Sequence, residues 1–93
     1  MAHMYILRCR DGSYYVGSTR DLDRRLEQHA AGAVESYTSS RLPVELVFAE
    51  EYERIDEAYA REKQVQGWGR AKREALIRGD YEALAPLSSR ARR

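Results

Sequence analysis

Ninety-three residues, 43% of them hydrophobic and 33% charged, make one globular domain and exclude the disordered class. A formal net charge of +1 lacks the basic excess common among nucleic-acid binders, so any such role must rest on how charge is distributed. The single cysteine, Cys9, excludes an internal disulfide and a Cys/His zinc site; with no bilayer-length apolar run and no signal-peptide pattern, the expectation is a cytoplasmic protein without membrane contact.

Residues 4–10 are rich in strand formers and read as a first strand, whereas Met1, Ala2 and His3 carry no structural weight. Asp11 and Gly12 turn the chain, and residues 13–18 return it. A two-residue loop would pair Cys9 with Tyr14 and set Tyr5 and Tyr15 on opposite faces. A three-residue loop with Gly12 left-handed would pair Cys9 with Ser13, Leu7 with Tyr15 and Tyr5 with Gly17, turning both tyrosines the same way. The sequence leaves both registers open, and Gly12 favours the second.

Ser18 and Thr19 supply hydroxyl caps, and Asp21 and Asp23 first-turn acids, for a helix that runs to about Ala31 and stops at Gly32. Leu22 and Leu26 mark its buried stripe. Arg25 and His29 fall close to that stripe, while Arg24 points to solvent. Residues 33–42 form a polar loop from which Tyr37 and Arg41 can approach a ligand.

Pro43 opens a third strand over 44–52, with Val44, Leu46 and Phe48 on one face. A second long helix is expected over 55–66, its inward stripe being Ile55, Ala58, Tyr59 and Val65, closed by Gly67. Residues 68–78 and 81–87 read as two further short helical segments, followed by a basic tail containing Arg90, Arg92 and Arg93. The arginines at positions 8, 10, 20, 24 and 25 form a second basic cluster, and Glu50, Glu51, Glu53, Asp56 and Glu57 an acidic one.

Glu62 sits in the middle of the second helix's apolar stripe. A carboxylate there is costly unless an arginine, hydrogen bonds or a metal ion compensates it. Singly, each candidate has an ordinary explanation: a salt bridge for Glu62, a core-edge imidazole for His29, a carboxylate partner for Arg25, sheet aromatics for Tyr5 and Tyr15. Their interest lies in their combination around one small sheet.

Tyr5 closing the triplet His3-Met4-Tyr5, Tyr15-Val16-Gly17 ten residues later, Arg25 and His29 on the next helix and Glu62 on a later one together resemble the GIY-YIG nuclease domain. The chain is most similar to its small stand-alone bacterial members, over residues 4–80, with 81–93 left as a helical turn and tail. The resemblance implies an α+β fold, a three-stranded antiparallel sheet flanked by helices. It also implies hydrolysis of DNA phosphodiester bonds with one Mg²⁺ or Mn²⁺ held by Glu62. On the same footing Tyr5 orients or deprotonates water, Tyr15 fixes the geometry, Arg25 grips phosphate, His29 relays a proton and Gly17 admits the phosphate to the backbone. Arg8, Tyr37 and Arg41 complete the expected substrate contacts. The chain departs from the family pattern in its first triplet, in containing no asparagine and in having no lysine near the first strands, where Arg8 or Arg10 would have to lower a tyrosine pKa.

Such a module should bind DNA weakly and through phosphates, with specificity for branched, damaged or single-stranded forms, as in repair or recombination, supplied by a protein partner. The alternative is a non-catalytic nucleic-acid-binding or adaptor module that keeps the fold. A purely structural domain recruited by a partner is a third reading.

Overall fold

The computed structural model describes residues 1–33 and 38–80. Tyr37 and the expected segment 81–87 with its tail therefore lie outside the described residues. Three strands, β1 (Ala2–Arg8), β2 (Tyr14–Thr19) and β3 (Glu45–Tyr52), form one antiparallel sheet in the order β2-β1-β3. Among the described residues, three helices complete the α+β fold: α1 (Leu22–Ala30), α2 (Ile55–Gln66) and α3 (Arg70–Arg78).

β1 begins earlier than the sequence suggested. Ala2 pairs with Tyr52 and is buried, and His3 pairs with Thr19 and Glu51, so the first residues belong to the central strand. That position also explains why Met4, Tyr5, Ile6 and Leu7 are all buried in succession. A strand with neighbours on both edges and helices on both faces buries every side chain rather than alternate ones. Met4 and Ile6 look toward α2 and α3, where they meet Val16, Val65, Ala75 and Leu76. Tyr5 and Leu7 point the other way, and Tyr5 meets α1 through His29.

The hairpin takes the three-residue loop. Cys9 N–H donates to the Ser13 carbonyl at 2.8 Å, Gly12 has φ of +85°, Leu7 lies opposite Tyr15 and Tyr5 opposite Gly17. Glycine is favoured at the third loop position because the left-handed conformation carries no Cβ penalty there. Both tyrosines consequently look the same way.

β3 departs from the expected alternation. Its pairing steps from Ile6–Phe48 to Leu7–Leu46, leaving Val47 as an extra residue in a bulge. Val47 and Phe48 both pack against the core in consequence, and Leu46 is left 40% exposed instead of sharing a buried face with Phe48. Tyr59 also turns out of the expected stripe. It stands about 100° around α2 from the buried Ala58, is 52% exposed and carries Lys63 Nζ over its ring at 4.9 Å.

Candidate active site

Tyr5 crosses the sheet toward its β2 edge and lies directly over Gly17. A Cβ built on Gly17 would stand 2.6 Å from the Tyr5 hydroxyl oxygen and 3.0 Å from Tyr15 Cε2. The glycine is therefore required by the tyrosine, and the space in front of its α-carbon is taken by the phenol. Tyr15 completes an aromatic corner, its ring centroid 6.2 Å from that of Tyr5 and 5.2 Å from that of His29.

α1 delivers His29 into this corner. Fully buried, the imidazole makes two hydrogen bonds, Nε2 with the Tyr5 hydroxyl at 3.0 Å and Nδ1 with Thr38 Oγ1 at 2.9 Å. Burial, together with the neighbouring Arg25 guanidinium, holds the His29 pKa below the usual histidine value, so the ring is neutral at pH 7. Burial pushes the Tyr5 phenol well above the ordinary tyrosine range, and Tyr15 adds to this. Arg25 acts in the opposite direction, and the charge of Glu62 raises the phenol a little further. The cation that faces Tyr5 is thus Arg25. Arg8, expected as a possible substitute for the missing lysine, lies on the other face of β1 and pairs with Glu45 at 3.5 Å, and Arg10 does not contribute.

The start of α1 differs from expectation in a way that matters here. Asp21 is the N-cap, its carboxylate accepting from Arg24 N–H at 3.1 Å, and Thr19 Oγ1 braces it by accepting from Asp21 N–H at 3.1 Å. Ser18, anticipated as a cap, remains in β2 and donates its hydroxyl to Glu62 Oε1 at 2.6 Å. Glu62 Oε2 accepts from Gln66 Nε2 at 2.8 Å, and Gln66 also bonds the Val16 carbonyl at 3.2 Å. Neutral donors thus satisfy the carboxylate that the sequence left unexplained. Lys63 Nζ stands at 3.9 Å on an exposed side chain, at the outer limit of an ion pair, while the Glu62 side chain is 12% exposed.

The structure brings Tyr5, Tyr15, Arg25 and His29 together, with Gly17 beneath them and Glu62 close enough for its charge to act on Tyr5. It does not bring Arg8 or Arg41 there. Arg41 is tied to Asp11 at 3.1 Å at the hairpin loop, and its carbonyl accepts from Arg10 N–H. Three participants went unread in the sequence. Ser18 and Gln66 orient Glu62, and Thr38 fixes His29; only Gln66, four residues from Glu62 on one helix face, carried a visible signal.

Among the described residues, no group of three or more His, Cys, Asp or Glu side chains gathers as a cation site. Glu62 fits a divalent hard cation only as a single-carboxylate holder. Each of its oxygens keeps a lone pair beyond the bonds from Ser18 and Gln66, and the donor is oxygen, as Mg²⁺ prefers.

Comparison with known proteins agrees with this architecture. The GIY-YIG catalytic domain matches residues 1–75, and the chain belongs to that family. It is 42% identical over 76 residues to a UPF0213 protein of Streptococcus pneumoniae, covering 82% of this chain and 77% of the relative. A UPF0213 protein of Halobacterium salinarum is 42% identical over 77 residues, covering 83% and 100%. The solution structure of UPF0213 protein BH0048 from Bacillus halodurans superposes with a TM-score of 0.55 at 40% identity, covering 95% of this chain and 98% of the other. That of protein EF2693 from E. faecalis gives 0.57 at 32% identity, covering 85% and 84%.

Proposed function

We propose that the protein is a divalent-metal-dependent endonuclease that hydrolyses DNA phosphodiester bonds at the Tyr5–His29 corner. The family membership favours a nuclease, and one observation in this chain carries the reading: a buried imidazole hydrogen-bonded to a tyrosine that faces an arginine. The relay uses the tautomer in which His29 Nδ1–H donates to Thr38 Oγ1 and Nε2 accepts the Tyr5 hydroxyl proton. Water would reach the Tyr5 oxygen, which is buried and already faces Arg25, as substrate binds at the corner. As that water attacks phosphorus, its proton passes to Tyr5 while the Tyr5 proton passes to His29.

This relay suits a phenol whose pKa is raised, because Tyr5 never has to exist as a free phenolate. Arg25 presents its planar fork to the non-bridging phosphate oxygens, where negative charge grows. Tyr15 holds the Tyr5 and His29 rings in register from the side. Glu62, aimed by Ser18 and Gln66, would hold the Mg²⁺ or Mn²⁺ ion, which when bound would supply Lewis-acid stabilisation of developing negative charge. With one protein carboxylate to hold it, the ion would bind weakly without DNA.

Incubating the protein with end-labelled single-stranded, duplex and branched DNA in Mg²⁺, Mn²⁺ or chelator tests this. Cutting that requires the ion supports the reading. Binding without cutting in any condition replaces it with the adaptor alternative.

A further inference from the structure

A groove of about 390 Å³ lies beside the corner, between the start of α1 and the start of α2, and shares Arg25 with it. Ser18, Arg20, Asp21, Arg24, Arg25 and Ile55 line it. Two of these residues join it to the candidate site, Ser18 by its bond to Glu62 and Arg25 by facing Tyr5.

The arginines of this groove differ from most others in the molecule. Arg54 is spent on Asp56, Arg61 on Glu50 and Arg70 on Glu74, at 2.8 to 3.0 Å. Among the described residues, the guanidinium groups of Arg20, Arg24 and Arg25 have no carboxylate partner. The one acid lining the groove, Asp21, has its carboxylate engaged as the α1 N-cap. Two guanidinium groups on successive helical residues point about 100° apart, so Arg24 and Arg25 address neighbouring anions rather than one. Arg20, one residue before the cap, carries the same charge further along. Ile55 supplies an apolar patch on the opposite wall, suited to a sugar ring.

We propose that this groove is the channel for the substrate strand. Arg24 and Arg20 hold the sugar-phosphate backbone next to the phosphate gripped by Arg25. The inference rests on the reading that Arg25 meets the scissile phosphate, and it goes further by assigning binding to two residues outside the chemistry. Arg20 and Arg24 are assigned to phosphates, which carry no sequence information, so their contribution is independent of sequence.

The test uses the full chain and a fluorescently labelled single-stranded oligodeoxynucleotide, with anisotropy measured in chelator across a salt series. Arg24→Ala and Arg20→Ala should each weaken binding several-fold and lower the slope of log affinity against log salt by about 0.7, with the double variant losing about twice that. In Mg²⁺, the same variants should raise KM and change kcat by less than about twofold, the signature of lost uniform binding. Arg78→Ala, on an exposed arginine paired with Asp80, is the control and should match the wild type. A double variant with wild-type slope and KM overturns the proposal while leaving the nuclease reading intact. Loss of binding in the variants of a wild type that never cuts leaves the channel standing and ends the nuclease reading. A wild type whose binding shows no salt dependence overturns the channel outright.

Discussion

The Tyr5 hydroxyl fills the space that any side chain at Gly17 would need, 2.6 Å from the position of a Cβ on that residue. The aromatic corner and the imidazole contact are both built on the phenol held in this close approach. Gly17→Ala should therefore cost about 1–3 kcal/mol, the range for overpacking a filled interior. Because the displaced group is the Tyr5 phenol, the Tyr5–His29 bond breaks as well. Denaturant melts and cutting assays on the variant check both effects, and a stable, fully active Gly17→Ala protein would show that Tyr5 can move without consequence.

Stability should depend on pH through His29. The folded-state pKa lies below the ordinary unfolded value of about 6.5, so the unfolded chain binds the extra proton first. The stabilisation is complete above about pH 6.5 and declines as pH falls from there toward the lower folded value. Chemical melts from pH 7.5 to 5 should show this decline in the wild type and a shallower one in His29→Gln. Parallel curves would assign the acid sensitivity to carboxylates alone. Cutting should follow the same group, with an acid limb displaced below the usual histidine range.

Tyr5→Phe removes one hydroxyl and leaves the ring in place. The unpaired His29 Nε2 should cost about 1–3 kcal/mol, and cutting should be lost because the water no longer has its acceptor. The raised phenol also predicts that Tyr5 stays protonated well past pH 10, so its stabilisation persists below that pH and is lost only as the solution becomes more alkaline. A difference titration of tyrosinate absorbance between wild type and Tyr5→Phe measures it. A Tyr5 that ionises at or below the ordinary tyrosine value contradicts the buried hydrogen-bonded corner.

Ser18→Ala should act through Glu62. Losing the 2.6 Å bond frees one carboxylate oxygen, so the concentration of Mg²⁺ needed for half-maximal cutting should rise several-fold while saturating ion restores most of kcat. A purely structural serine would instead lower stability and leave that ion requirement unchanged. Ser18→Thr, which retains the hydroxyl, should restore the wild-type requirement.

What could be read in the sequence was what local chemistry dictates. Gly12 favoured the three-residue hairpin loop that the structure adopts, and with it the pairing of Tyr5 with Gly17 and the common face of both tyrosines. Helical phase separated the half-buried Arg25 from the exposed Arg24. The errors came from partners distant in the chain. Ser18 resembled a cap because its companion, Glu62, lies 44 residues away. Thr38 gave no signal from within a polar loop, since only the fold seats it against His29. Leu46 was misplaced by a bulge that no periodicity announces, and Arg8 and Arg41 were grouped with the site on charge alone although each has a carboxylate elsewhere.

Single-turnover cleavage of a labelled oligonucleotide by wild type, Glu62→Gln and Arg25→Ala, with each protein shown to be folded by circular dichroism, tests the central claim most directly. Wild type should cut in Mg²⁺ or Mn²⁺ and stop in chelator, and both variants should fall by about a hundredfold or more at saturating DNA. Variants that cut as fast as wild type, or a wild type indifferent to the chelator, would contradict a metal-dependent nuclease built around Tyr5, Arg25, His29 and Glu62.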